Sequence, residues 1–254
     1  MKGKQPVKVI VAGDSIAVGA QIGYTAPDYK SGDKAWNYTY QSVLGGRLKE
    51  HFGYGSLALV YRTYDGKAKA WKDVFEPRPT GDRTVMCVAT GGWKAEIGLE
   101  HLEEILKEKP DLVLWEYGAN DVLFGKLEPY VKATEAAIDR LKAAGIEVVL
   151  HTVTPGCDLL PKPWLENKSP LEKAARYNDE ARRIAKDKGC ALADMEKAFL
   201  ARGAQFTGDL YSDQVHPNHY GHEMIADVLD ALLTERDVRI WKHGPAADKA
   251  QAGR

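Results

Sequence analysis

The chain of 254 residues has only three cysteines, Cys87, Cys157 and Cys190, and none forms a CxxC pair. The odd count points to reduced, buried thiols rather than a redox pair, and Cys87 and Cys190 lie in apolar runs, where core cysteines belong. An excess of one charge is missing too. Lys and Arg number 35 against 36 Asp and Glu, for a net charge of −1. With no basic stripe, nucleic acid is not expected as a partner. No apolar run approaches the roughly 20 residues that a membrane-spanning helix requires. Several motifs are absent: Gly-x-Ser-x-Gly, His-Glu-x-x-His, Walker-A and Gly-x-Gly-x-x-Gly. Their absence disfavours the α/β-hydrolase elbow, and no cofactor, metal or nucleotide, is indicated. Residues 1–6 lead directly into an apolar strand at Val7, too short and too early for a secretion signal. The expectation is an intracellular protein, or an exported one whose signal has been removed.

The apolar fraction is 44%, enough for a real core, and the length suits one large domain. Five short apolar runs alternate with helical patterns: Val7–Ala12, Thr84–Ala89, Leu112–Trp115, Ile146–His151 and Cys190–Ala193. Continuous Val/Ile/Leu runs imply strands buried on both faces, and hence a parallel sheet with helices on either side. Helices are expected near 36–51, 97–107, 127–144, 171–188 and 219–233. The fold class is α/β, a doubly wound sheet. Leu57–Arg62 reads as an additional edge strand of undefined direction. The expectation is a single domain over 1–240. Beyond it, 241–254 is rich in Gly, Ala, Lys and Gln and reads as a poorly ordered tail.

In an open α/β sheet, ligands bind outside the carboxyl ends of the strands. Ser15 follows the first strand, Gly91-Gly92 the second, and Asn120 the third, so topology sends all three to one rim. A hydroxyl, an imidazole and a carboxylate are the parts of an acyl-transfer centre. Ser15 is the candidate nucleophile, needing a base to take its proton; its bland alternative is that Asp14 or Ser15 caps a turn. His216 is the candidate base, since imidazole accepts and returns protons near neutral pH. Six other histidines mean that a histidine alone says little. Asp213 lies three positions earlier, side by side with His216 in a turn, and is placed to orient the ring. Pro217 restricts His216 to extended backbone. Gly92 and Asn120 are candidate oxyanion donors, together with the Ser15 N–H. Taken singly, Gly91-Gly92 also reads as an ordinary turn and Asn120-Asp121 as a loop with a helix cap.

Gly13-Asp14-Ser15-Ile16, Gly92, Gly118-Ala119-Asn120-Asp121 and Asp213-Gln214-Val215-His216-Pro217-Asn218 resemble the four sequence blocks of the SGNH hydrolases, or GDSL esterases/lipases. They occur in the family's order and span nearly the whole chain. The resemblance implies Ser15 as nucleophile, His216 as base and Asp213 as its partner. It implies an oxyanion hole of Ser15 N–H, Gly92 N–H and the Asn120 side chain, with Gly92 preferred over Gly91 because it precedes the large Trp93. It also implies a three-layer α/β/α sandwich with five parallel strands in flavodoxin-like order. The chain departs from the pattern at Ile16, where many members have Leu, and at Ala119, where Thr is frequent and one hydroxyl near the site is lost.

Loops 21–35 and 155–170 are expected to overhang the rim, with Tyr24, Tyr29 and Trp164 among Asp28, Asp33, Lys162 and Asn167. Trp93, Trp164 and Asp14 are the substrate-contact candidates. Aromatic faces beside polar groups suit a sugar ring, and ordinary packing accounts for them equally. The favoured substrate is a short acyl ester, an acetyl group on a carbohydrate or similar polar alcohol. The alternative is a lysophospholipase or thioesterase of the same family. A non-catalytic carbohydrate-binding module is disfavoured because Ser15, His216 and Asn120 are all present.

Overall fold

The computed structural model describes residues 7–22, 38–52, 57–73, 83–156, 170–202 and 210–235. Its strands are β1 (Val7–Gly13), β2 (Leu57–Asp65), β3 (Ala70–Asp73), β4 (Arg83–Ala89), β5 (Leu112–Trp115), β6 (Glu147–His151) and β7 (Ala191–Ala193). Val9, Ile10, Val11 and Ala12 of β1 are at most 1% exposed, as a strand covered on both faces must be. The sheet order is β3-β2-β4-β1-β5-β6-β7, and every neighbouring pair is parallel except β2 with β3. The five expected strands are β1, β4, β5, β6 and β7. Their order, β4-β1-β5-β6-β7, is the flavodoxin order.

The strand at 57–62 is settled in direction and extended in length. It pairs parallel with β4, from Leu57 opposite Arg83 to Arg62 opposite Val88. It then runs on to Asp65 and turns back into β3, so β3 and not β2 forms the rim. The turn is built by Asp65, whose Oδ1 accepts from Lys67 N at 3.0 Å and Ala68 N at 3.2 Å. Three of the four β3 residues are exposed, so no apolar alternation marked it.

The helices are α1 (Tyr40–Phe52), α2 (Ala95–Glu100), α3 (Leu102–Lys107), α4 (Ala119–Phe124), α5 (Leu127–Ala143), α6 (Pro170–Lys188), α7 (Met195–Ala201) and α8 (His219–Glu235). The helix expected over 97–107 is two helices, broken at His101, which sits at φ −98°, ψ 12°. The short α4 and α7 were not expected, because six or seven residues hold too little periodicity to register. Helix α8 packs on α1 and α7, while α5 packs on α2 and α6, giving helical layers that flank the sheet. Among the described residues no helix is long and apolar enough to cross a membrane. The expected tail at 241–254 lies outside the described residues.

For the site, one consequence matters most. Gly13 pairs with Ala89, and Ala12 with Trp115. The carboxyl ends of β4, β1 and β5 therefore lie side by side, and the segments leaving them share one rim.

Candidate active site

After β1 the chain enters a tight hydrogen-bonded turn. Asp14 Oδ1 accepts from Ile16 N at 3.0 Å, and Ala20 N donates to Ser15 O at 2.9 Å. Asp14 is 0% exposed and Ile16 3%, whereas Ser15 between them is half-buried and reaches the surface. Alternation within a turn thus sends the acid and the isoleucine inward and the hydroxyl outward.

The second part comes from the loop before α8. Tyr211 and Pro217 form an isolated bridge, and Ser212 N donates to His216 O at 2.9 Å, closing the loop on itself. Asp213 Oδ1 accepts from both Val215 N and His216 N, each at 2.8 Å. Its other oxygen, Oδ2, lies 2.8 Å from His216 Nδ1. The opposite ring nitrogen, Nε2, lies 2.9 Å from Ser15 Oγ. Two ties hold this loop in place. Ser212 Oγ donates to Gln21 O at 2.9 Å, linking it to the segment that follows Ser15. Asn218 Oδ1 accepts from Tyr220 N at 2.9 Å and Gly221 N at 3.1 Å, an N-cap that starts α8 immediately after the loop.

The third and fourth parts leave β4 and β5. Gly92 has φ +83°, a backbone conformation open to glycine and disfavoured for other residues. It is exposed, and a Cβ added there would meet nothing within 4 Å. Gly91 lies closer to the serine, since a Cβ on it would sit 3.7 Å from Ser15 Cβ. Asn120 is 7% exposed in the first turn of α4. Its Nδ2 donates to Asp14 Oδ2 at 3.0 Å and to the Trp93 carbonyl at 3.1 Å.

Asp14 is therefore placed differently from the expectation that it contacts substrate. It has no exposed surface, and its carboxyl group spans Ile16 N–H and Asn120 inside the protein. Burial raises its pKa to about 6, opposed by the Ile16 N–H, the His216 charge and the Asn120 amide. Trp93 is half-buried and its ring stacks on His101 at 4.7 Å and 18°. Tyr64 and Trp71 of the β2–β3 hairpin pack on the same pair. Trp164 lies outside the described residues, as do Tyr24, Tyr29 and the loop polar groups named with them.

Two residues that received no separate role from the sequence complete the support. Asp121, next to Asn120, is 1% exposed and its Oδ2 accepts from Ala95 N at 3.0 Å, capping the start of α2. The helix cap anticipated at Asn120-Asp121 thus belongs to a different helix. Burial lifts the Asp121 carboxyl to about 6, with the Ala95 N–H pulling the other way. Thr90 Oγ1 accepts from Tyr64 N at 3.0 Å, fastening the β2–β3 hairpin to the glycine turn. Neither cap nor clamp has a signature at short sequence separation, so pattern reading had nothing to find.

Residues 11–224 match the model of the GDSL-like Lipase/Acylhydrolase family. The chain belongs to that family. As a GDSL-family protein it is a carboxylic ester hydrolase, in line with the resemblance carried by its four blocks. Solved structures share its fold at low identity. The acetyl xylan esterase AlAXEase is 23% identical, with a TM-score of 0.60, over 88% of this chain and 98% of that one. Axe2, an acetylxylan esterase from Geobacillus stearothermophilus, is 19% identical, with a TM-score of 0.60, over 90% and 94%. A lipase/acylhydrolase from Enterococcus faecalis is 19% identical, with a TM-score of 0.58, over 88% and 93%. No curated protein matches the hydrolase.

Proposed function

We propose that the hydrolase is a serine esterase that removes short acyl groups, acetyl above all, from a carbohydrate or similar polar alcohol. The observation that carries the serine mechanism is the continuous line from Ser15 Oγ through both His216 ring nitrogens to Asp213, at 2.9 and 2.8 Å. In this reading Ser15 Oγ attacks the ester carbonyl while His216 Nε2 takes its proton. Asp213 holds the Nδ1–H tautomer and stabilises the imidazolium. The imidazolium then protonates the departing alcohol, leaving an acyl group on Ser15. A water, deprotonated by His216, releases the acid and restores the serine.

The oxygen that turns negative during each attack is received by Ser15 N–H, Gly92 N–H and Asn120. One Nδ2–H of Asn120 is held by Asp14; the other meets the neutral Trp93 carbonyl. A charged oxyanion outcompetes a neutral carbonyl for that hydrogen, because a hydrogen bond to an ionised acceptor is about twice as strong. Asn120→Ala is expected to lower kcat about 10²–10³-fold with little change in KM. Steady-state kinetics on p-nitrophenyl acetate would read this, and a change confined to KM would remove Asn120 from the oxyanion hole.

A short acyl group is supported by the acetyl ester named for AlAXEase and Axe2, which share this fold. A carbohydrate alcohol is supported by the acetylxylan specificity named for AlAXEase and Axe2, whose fold this is. Turnover of p-nitrophenyl acetate against the decanoate ester tests the acyl length, and acetylated xylan against lysophospholipid tests the alcohol. The acetate is expected to win by at least about tenfold in kcat/KM, since a chain that does not fit loses more than 1.4 kcal/mol. Preference for the decanoate would favour the lysophospholipase or thioesterase reading.

A further inference from the structure

Beneath the serine lies a carboxyl group that the chemistry above does not employ. Glu116 follows β5, and its backbone N donates to Ala12 O at 2.8 Å, so its side chain leaves the sheet next to the turn that begins at Gly13. The backbone N–H groups of Asp14 and Ala17 lie near enough to its carboxyl group to favour the charged form. Those two residues bracket Ser15. The approach is close: a Cβ on Gly13 would fall 2.0 Å from Glu116 Oε2 and 3.1 Å from its Cδ. Gly13 is thus the residue that lets the acid in, and any larger side chain would drive it out.

Glu116 Oε2 is shut off from solvent and has no hydrogen-bond partner among the described residues; the same holds for His151 Nε2. Both residues line a cavity of ≈ 10 Å³, shared with Ile16, Thr152 and Met195. Burial pushes the Glu116 carboxyl well above the usual carboxylate range, and the Asp14 charge pushes the same way. Burial pulls the His151 imidazole down to about 3. Burial thus works against the charged form of both groups.

We infer that Glu116 is a positioning residue for ester cleavage: from the foot of the 13–17 turn it holds the Asp14 and Ala17 amides, and with them the direction in which Ser15 Oγ leaves the turn. The inference rests on the reading of Ser15 as nucleophile. What the turn needs from Glu116 is an acceptor oxygen at the right reach, not a charge. A glutamine keeps that oxygen and that reach. An aspartate keeps the acid but withdraws it by about 1.5 Å, one C–C bond.

The test compares Glu116→Gln and Glu116→Asp in kcat and KM for p-nitrophenyl acetate, with thermal unfolding followed in parallel. The glutamine variant is expected to stay within about threefold of the parent, while the aspartate variant loses roughly 10²-fold in kcat at near-constant KM, the scale of an ångström misplacement. Full kcat in the aspartate variant with loss in the glutamine variant would overturn the inference, because an acid and not a reach would then be required. So would a change confined to KM in the aspartate variant. Should that variant fail to unfold cooperatively, the glutamine variant decides alone, and a kcat below about a tenth of the parent sinks the proposal. Ser15→Ala run beside them separates the two readings. Turnover surviving in it removes the nucleophile itself; turnover lost in it, with the order of the Glu116 variants reversed, removes only the role of Glu116.

Discussion

Replacing Ser15 with alanine is expected to lower kcat for p-nitrophenyl acetate by about 10⁴–10⁶-fold and to abolish covalent labelling by a fluorophosphonate. The expectation follows from the 2.9 Å contact between Ser15 Oγ and His216 Nε2, which supplies a base to an otherwise weak nucleophile. Ser15 is half-buried in a turn held by its neighbours' hydrogen bonds, so loss of one hydroxyl should leave the fold untouched. The effect should also be non-additive. Adding His216→Ala to Ser15→Ala should change the residual rate by less than about tenfold, because a base without a nucleophile has no proton to take. Labelling that persists in Ser15→Ala would move the nucleophile elsewhere.

Replacing Asp213 with asparagine is expected to cost about 10⁴-fold in kcat while leaving the loop in place. The reason lies in how the two carboxylate oxygens divide their work. Oδ1 accepts from Val215 N and His216 N at 2.8 Å, and an amide oxygen can keep both bonds. Oδ2 faces His216 Nδ1 at 2.8 Å, and in the asparagine variant an NH₂ group stands there. That group donates, so Nδ1 must accept and the ring proton moves to Nε2. Nε2 then has no lone pair with which to take the Ser15 proton. Kinetics with a thermal melt read both halves of the claim. A kcat within about tenfold of the parent would show that His216 does not depend on Asp213 for its tautomer.

Much of the framework was legible in the linear chain because it rests on local chemistry. Val9–Ala12, Val85–Ala89 and Leu112–Trp115 are apolar without interruption, and such runs suit interior parallel strands. Strand direction then sends Ser15, the glycine pair and Asn120 to one rim before any distance is known. Asp213 and His216 are three residues apart, close enough for a turn to bring them together.

What stayed hidden was non-local or too short to be periodic. Strand β3 has one half-buried residue, Trp71, and exists because β2 lends it a partner. Helices α4 and α7 are each shorter than two full turns. Asp14 was expected to cap a turn or to contact substrate, yet its partner across 106 positions is Asn120, and that bond lies inside the protein. Glu116 had no motif to announce it.

The sequence by itself determined which strands are buried and at which end of the sheet the polar groups gather, because burial and strand direction follow from side-chain pattern and order along the chain. Only the tertiary structure decided which polar groups meet. Ser15 and His216 are 201 residues apart, and Glu116 is about a hundred from the turn it supports. Such contacts depend on the packing of whole helices against the sheet, which no short window of residues encodes.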